Sequence, residues 1–155
     1  MRVSAKVDYA VRAAIELAAA GEGPVKGEQI ALEQSIPLKF LEDILLDMRQ
    51  ADLVRSQRGR DGGYWLARDA GEIAVADVIR AVEGPLATVR GERAEELDYE
   101  RAAAPLQEVW IAVRANLRAV LETVTLADIV NDSLPEPVES LTRDPEAWRS
   151  GAEHT

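Results

Sequence analysis

The sequence predicts a mainly α-helical fold: a winged helix-turn-helix domain plus a long dimerisation helix. Three observations predict it. Helical apolar periods alternate with tight breakers over the first fifty or so residues. Two short extended runs then flank a Gly-rich turn that carries arginines. Finally, an apolar stripe resumes at Pro105 and runs longer than packing on one small domain requires.

Each element follows from local residue chemistry. Val3, Val7, Ala10, Val11, Ala14, Ile15, Leu17 and Ala18 recur at helical spacing. Ser4 suits the N-cap, and Gly21 with Gly23-Pro24 stops the helix. A second, short helix is expected around 26–33, with Ile30 and Ala31 inward. Gln34-Ser35-Ile36-Pro37 breaks it, and Pro37 suits the first turn of the next helix. Leu38, Leu41, Ile44, Leu45 and Met48 give that third helix one apolar face up to about Ala51.

The extended runs are 53–56 and 64–67, joined through Arg58-Gly59-Arg60-Asp61-Gly62-Gly63. Residues 74–83 read as a helix with Val75, Val78, Ile79 and Val82 inward, ended by Gly84-Pro85. Residues 85–104 lack apolar periodicity and read as a polar loop or short irregular segment. Leu106, Val109, Trp110, Val113, Leu117, Val120, Leu121 and Val124 form the later stripe, which suits a second chain as well as its own domain. Leu126, Ile129 and Val130 form a short helical coda. The expected division is a DNA-binding domain at 1–84, the loop at 85–104, the dimerisation helix and coda at 105–131, and a mobile acidic tail at 132–155, interrupted by Pro135, Pro137 and Pro145.

Charge sharpens this division. The chain has 155 residues and a formal net charge of −10. Such a mean charge argues against nucleic acid, because DNA binders normally show a basic surface. Yet residues 1–68 hold ten basic and ten acidic side chains, so the whole excess lies in the remainder, with eight basic and eighteen acidic. Screening over about 8 Å makes the local balance the relevant one. There is no cysteine, which excludes disulfides and thiolate chemistry. The N-terminus lacks an apolar signal region and no apolar run approaches a membrane span, so a soluble cytoplasmic protein is expected.

The element order itself points to duplex DNA. A third helix of this kind presents polar N-terminal side chains to base edges in the major groove. Lys39 lies at that end, opposite the apolar anchors. A hairpin tip must approach the sugar-phosphate backbone or enter the minor groove. Arg58 and Arg60 bring charge there, and Gly59, Gly62 and Gly63 permit close approach. Glu42 and Asp43 have two open readings, base contact or complementing the helix N-terminus. Asp8 and Arg12 are spaced as an i, i+4 ion pair. Trp65, Tyr99 and Trp148 are read chiefly as packing residues, and His154 as part of the tail.

Several blocks carry a family resemblance. They are Tyr9-Ala10-Val11-Arg12-Ala13, Phe40-Leu41-Glu42-Asp43-Ile44-Leu45, Ala51-Asp52-Leu53-Val54-Arg55-Ser56, Arg58-Gly59-Arg60-Asp61-Gly62-Gly63-Tyr64 and Asp77-Val78-Ile79-Arg80-Ala81-Val82-Glu83-Gly84. Trp110 and Thr125-Leu126-Ala127-Asp128-Ile129-Val130 add to them. In this order, over residues 1–131, they resemble the Rrf family of bacterial transcriptional regulators, which includes iron–sulfur and nitric-oxide sensors.

The resemblance implies a homodimer on a palindromic operator, with half-sites roughly 34–36 Å apart. It implies DNA contacts by Lys39, Phe40, Glu42, Arg55, Arg58, Gly59 and Arg60, and dimerisation through Val109, Trp110, Val113, Leu117, Val120 and Leu121. Sensor members carry three cysteines before the long helix. Here that loop has none: Ala104 stands at the last such position and Gln107 where histidine is common. Asp8 matches an acid that closes the cluster in some members, but one carboxylate cannot hold a cluster. The expectation is therefore a transcriptional regulator, read as a repressor, with no metal and no cofactor. Its signal is something other than a cysteine-ligated cluster: a small-molecule effector near Asp8, Tyr9, Arg12, Gln107 and Trp110, a partner protein, or none. The competing reading is a winged-helix adaptor that binds protein and not DNA. An enzyme has no support, since no catalytic constellation stands out.

Overall fold

A computed structural model describes residues 1–151; His154 and its immediate neighbours lie outside the described residues. Helix α1 spans Ala5–Ala20, α2 Gly27–Gln34 and α3 Leu38–Gln50. Strands β1, Val54–Gln57, and β2, Gly63–Leu66, form an antiparallel wing. Helix α4 spans Val75–Glu83, α5 Leu106–Leu121, α6 Leu126–Val130 and α7 Glu136–Thr142. This is the expected winged helix-turn-helix followed by a long helix.

Capping sets the boundaries. The Ser4 side chain accepts from the Val7 amide, and Gly21 closes α1 at a φ of 69°. Ser35 ends α2 in the left-handed region at φ 52°, and Pro37 is the N-cap of α3, one residue before its first turn. The wing pairs Val54 with Leu66, Arg55 with Trp65, Ser56 with Tyr64 and Gln57 with Gly63.

One apolar core unites the N-terminal elements. Ala10, Ala13, Ala14 and Leu17 from α1 meet Ile30 from α2, and Leu41, Ile44, Leu45 and Met48 from α3. Val54 from the wing, Ile73 from the segment before α4, and Val78 and Val82 from α4 complete it. Lys6 on α1 and Asp47 on α3 form an ion pair at 2.8 Å across its edge.

Three features depart from the sequence expectation. The unit 1–84 is not closed by itself. The Val75 amide donates to the Val124 carbonyl at 2.9 Å and the Leu126 amide to the Ile73 carbonyl at 3.0 Å, and Leu126 is fully buried in the same core. The coda α6 thus belongs to the winged-helix core, a docking that its short apolar period cannot specify. The polar loop at 85–104 contains single 3-10 turns at Ala94–Glu96 and Arg101–Ala103, with Leu86, Ala94 and Leu97 buried. Buried residues at such irregular intervals carry no helical or strand period. The tail expected from 132 onward is partly helical: α7 begins with Pro at its first turn and packs against α5.

Candidate nucleic-acid interface

Helix α3 divides cleanly. Leu41, Ile44, Leu45 and Met48 are buried, while Lys39, Phe40, Glu42 and Asp43 are exposed. Arg55, Arg58, Gly59 and Arg60 are also exposed, Arg55 on β1 and the other three in the wing turn. A cleft between α3 and the wing brings Glu42 and Arg49 together with Ser56, Arg58, Tyr64 and Lys26. Of the expected DNA-facing set, Glu42 and Arg58 line this cleft, and Lys39, Phe40, Arg55, Gly59 and Arg60 lie outside its lining.

The wing is held to the helices at three points. The Lys26 ammonium donates to the Gly59 carbonyl at 2.7 Å, at the tip of the turn. Val25 pairs with Tyr64, with amide-to-carbonyl distances of 2.8 Å in both directions. The Arg49 guanidinium donates to Ser56 Oγ at 3.0 Å, joining the end of α3 to β1. This docking requires Gly63: a Cβ there would stand 2.6 Å from the Val25 carbonyl oxygen. At Gly62 a Cβ would stand 2.0 Å from the Gln57 carbonyl oxygen. Nothing in the local sequence marks Lys26 or Arg49 for this site, because both partners are distant in the chain.

Exposed Phe40 and half-buried Arg12 also have support roles. Phe40 meets Tyr9 edge to face, with ring centroids 5.6 Å apart. Arg12 lies 4.9 Å over the Tyr9 ring, pairs with Asp8 at 2.9 Å, and donates to the Gln34 carbonyl at the end of α2 at 2.6 Å. Asp8 and Arg12 therefore form the expected i, i+4 pair, and Arg12 also fixes α1 against the helix-turn-helix. Glu42 and Asp43 fall beyond the first turn of α3, which has no acidic residue. Dipole complementation fades within one turn, so that reading of the two acids loses its basis.

The five residues proposed around an effector pocket fall into two clusters. Asp8, Tyr9 and Arg12 sit together beside Phe40. Gln107 instead donates to the carbonyls of Ala94 and Glu95, at 3.2 and 3.3 Å, and the Trp110 indole donates to the Tyr99 hydroxyl at 3.1 Å. Trp65 lines a surface cleft with Leu17, Gly21 and Arg68. Helix α5 has no buried residue: Val109 is 51% exposed, and Trp110, Val113, Leu117, Val120 and Leu121 are only partly covered.

Residues 3–132 match the Rrf2 family model, described as an iron-dependent transcriptional regulator. An HTH-type regulator of Mycobacterium tuberculosis strain H37Rv is 50% identical over 151 residues, covering 97% of this chain and 94% of that protein. The structure of CymR from B. subtilis, described as a global cysteine regulator, aligns at TM-score 0.71 and 35% identity, over 85% of this chain and 98% of CymR. The T. potens IscR structure aligns at TM-score 0.70 and 33% identity, over 98% of this chain and 94% of that one.

Iron in the family description is tested by the residues present. The chain has no cysteine, Gln107 spends its amide on two backbone carbonyls, and Asp8 is held by Arg12. Among the described residues, no three His, Cys, Asp or Glu side chains gather as a metal site. These residues do not fit a thiolate-held cluster. Among the described residues, no helix is long and apolar enough to cross a membrane. Matched along most of its length in sequence and in fold, the chain belongs to the Rrf2 family of transcriptional regulators.

Proposed function

We propose that the chain is a homodimeric, cytoplasmic transcriptional repressor that binds a palindromic operator and responds to a signal other than a cysteine-ligated iron–sulfur cluster. The observation that carries this reading is the cleft joining Glu42 of α3 to Arg58 of the wing, with the wing tip pinned by Lys26. A helix face and an arginine-bearing tip held in fixed relation suit simultaneous contact with adjacent grooves. On this reading Lys39 and Glu42 face base edges, while Arg55, Arg58 and Arg60 meet phosphates or the minor groove. Gly59 allows close approach, and Phe40 sets the pitch of α3 through Tyr9. The exposed apolar face of α5 supports pairing with a second copy through Val109, Val113, Leu117 and Val120.

Selection from a random duplex library tests the proposal. The expected product is an inverted repeat with half-sites about one helical turn apart. Affinity should fall steeply with salt, because phosphate contacts release counterions. If no sequence is enriched and duplex DNA fails to bind even at low salt, the repressor reading is wrong and a protein-binding adaptor takes its place.

A further inference from the structure

Four arginines converge far from the wing. Arg80 comes from α4, Arg93 from the connecting segment, and Arg114 and Arg118 from α5. With Glu95 and Leu86 they line a pocket of about 220 Å³. This concentration is notable in a region that holds eight basic against eighteen acidic side chains beyond residue 68.

Internal carboxylates neutralise only part of it. Glu95 pairs with Arg114, and Glu122 pairs with both Arg80 and Arg118. Four guanidiniums thus face two paired carboxylates, with a third, Glu96, accepting from the Arg93 backbone amide at 3.4 Å, so the arginines remain in excess. Among the described residues, Arg93 forms no ion pair. Glu95 is held below the usual carboxylate range, first by its hydrogen bond from Arg114. Glu122 is held low by hydrogen bonds from Arg80 and then Arg118. Both shifts follow from these arginine hydrogen bonds.

Guanidinium forks match planar and tetrahedral oxyanions through paired N–H donors. Leu86 offers an apolar wall, itself 8% exposed, against which a short carbon skeleton can rest. The volume suits a small molecule and is well short of a drug-sized site. We propose that this pocket binds a small oxyanion carrying at least two negative charges, such as a phosphate or a polycarboxylate. The four arginines bridge α4 and α5, so such a ligand would clamp the long helix to the winged-helix core.

Isothermal titration of the full chain tests this with inorganic phosphate in one arm and citrate in the other, at ionic strength held constant with sodium chloride. The expected result is saturable binding of at least one anion at one per chain, and the arm that saturates tells phosphate from polycarboxylate chemistry. Arg93→Gln with Arg118→Gln should weaken it at least tenfold, and Arg93→Gln alone severalfold. Because Arg93 makes no ion pair among the described residues, that single variant tests the site without disturbing the fold. Arg143→Gln, at the C-cap of α7 and outside the pocket lining, should bind as the parent does. No saturable binding in either arm, or unchanged affinity in the Arg93→Gln variants, overturns the proposal. The readout involves no DNA, so it is independent of the operator-binding test.

Discussion

Arg58 shows how a single side chain can be legible as chemistry and yet need the fold for its meaning. In the sequence it is an arginine beside glycine in a turn. In the structure it is exposed, and it lines the same cleft as Glu42. Arg58→Ala should weaken operator binding by about 1–3 kcal/mol while leaving the melting temperature unchanged, since it removes no core contact. A gel shift on the selected site measures the first and a thermal melt the second; equal affinity would remove Arg58 from the interface. Ser4 and Gly21 were legible because a cap acts through its immediate neighbours. Lys26 was not, because its partner Gly59 lies thirty-three positions away. Phe40 was legible only as a DNA contact that the resemblance implies, and its contact with Tyr9 depends on how α1 crosses α3.

At the scale of elements, the wing is a hairpin whose position is set from outside itself. An isolated two-stranded hairpin is marginal in water. Here Lys26, the Val25–Tyr64 pairing and Arg49 hold it against the helices. Lys26→Ala should therefore raise amide exchange near Gly59 and lower operator affinity, with little change in global stability. Gly63→Ala should be more severe. Its φ of 150° and the 2.6 Å approach of a Cβ to the Val25 carbonyl force the wing to shift. Hydrogen exchange of the folded protein separates the two cases, and wild-type protection at the wing in both variants would show that these contacts do not position it. The helices themselves were legible because α1, α3 and α4 bury one periodic face. The segment 85–104 was not, because Leu86, Ala94 and Leu97 are buried at intervals that match neither repeat. The helix at Glu136–Thr142 was hidden by prolines that read as breakers but here begin a helix.

At the scale of the whole molecule, the net charge of −10 separates into a neutral first part, residues 1–68, which carries α3 and the wing, and an acidic remainder, which carries α5. The partly covered stripe on α5 is the surface that the proposed dimer would bury. Leu117→Glu should place a charge in that interface and convert dimer to monomer in sedimentation, with operator affinity falling in parallel; a dimer that persists would move the interface elsewhere. The attachment of α5 to the core has an electrostatic component of definite sign. Glu122 links Arg80 on α4 to Arg118 on α5, and its carboxyl is held below the usual range by those two arginines. A carboxyl lowered in the folded state contributes stability that is present in full above its unfolded value. That contribution is lost as pH falls through the folded value. The link is solvent-screened, so its share is small. Melting temperature measured from about pH 6 down to about pH 3 should fall less steeply in Glu122→Gln than in the parent, because the variant has already lost the proton-linked part. The two curves should converge at the acid end, where the parent's carboxyl is also neutral. Parallel curves, separated by a constant offset at every pH, would show that Glu122 acts through packing and not through its charge.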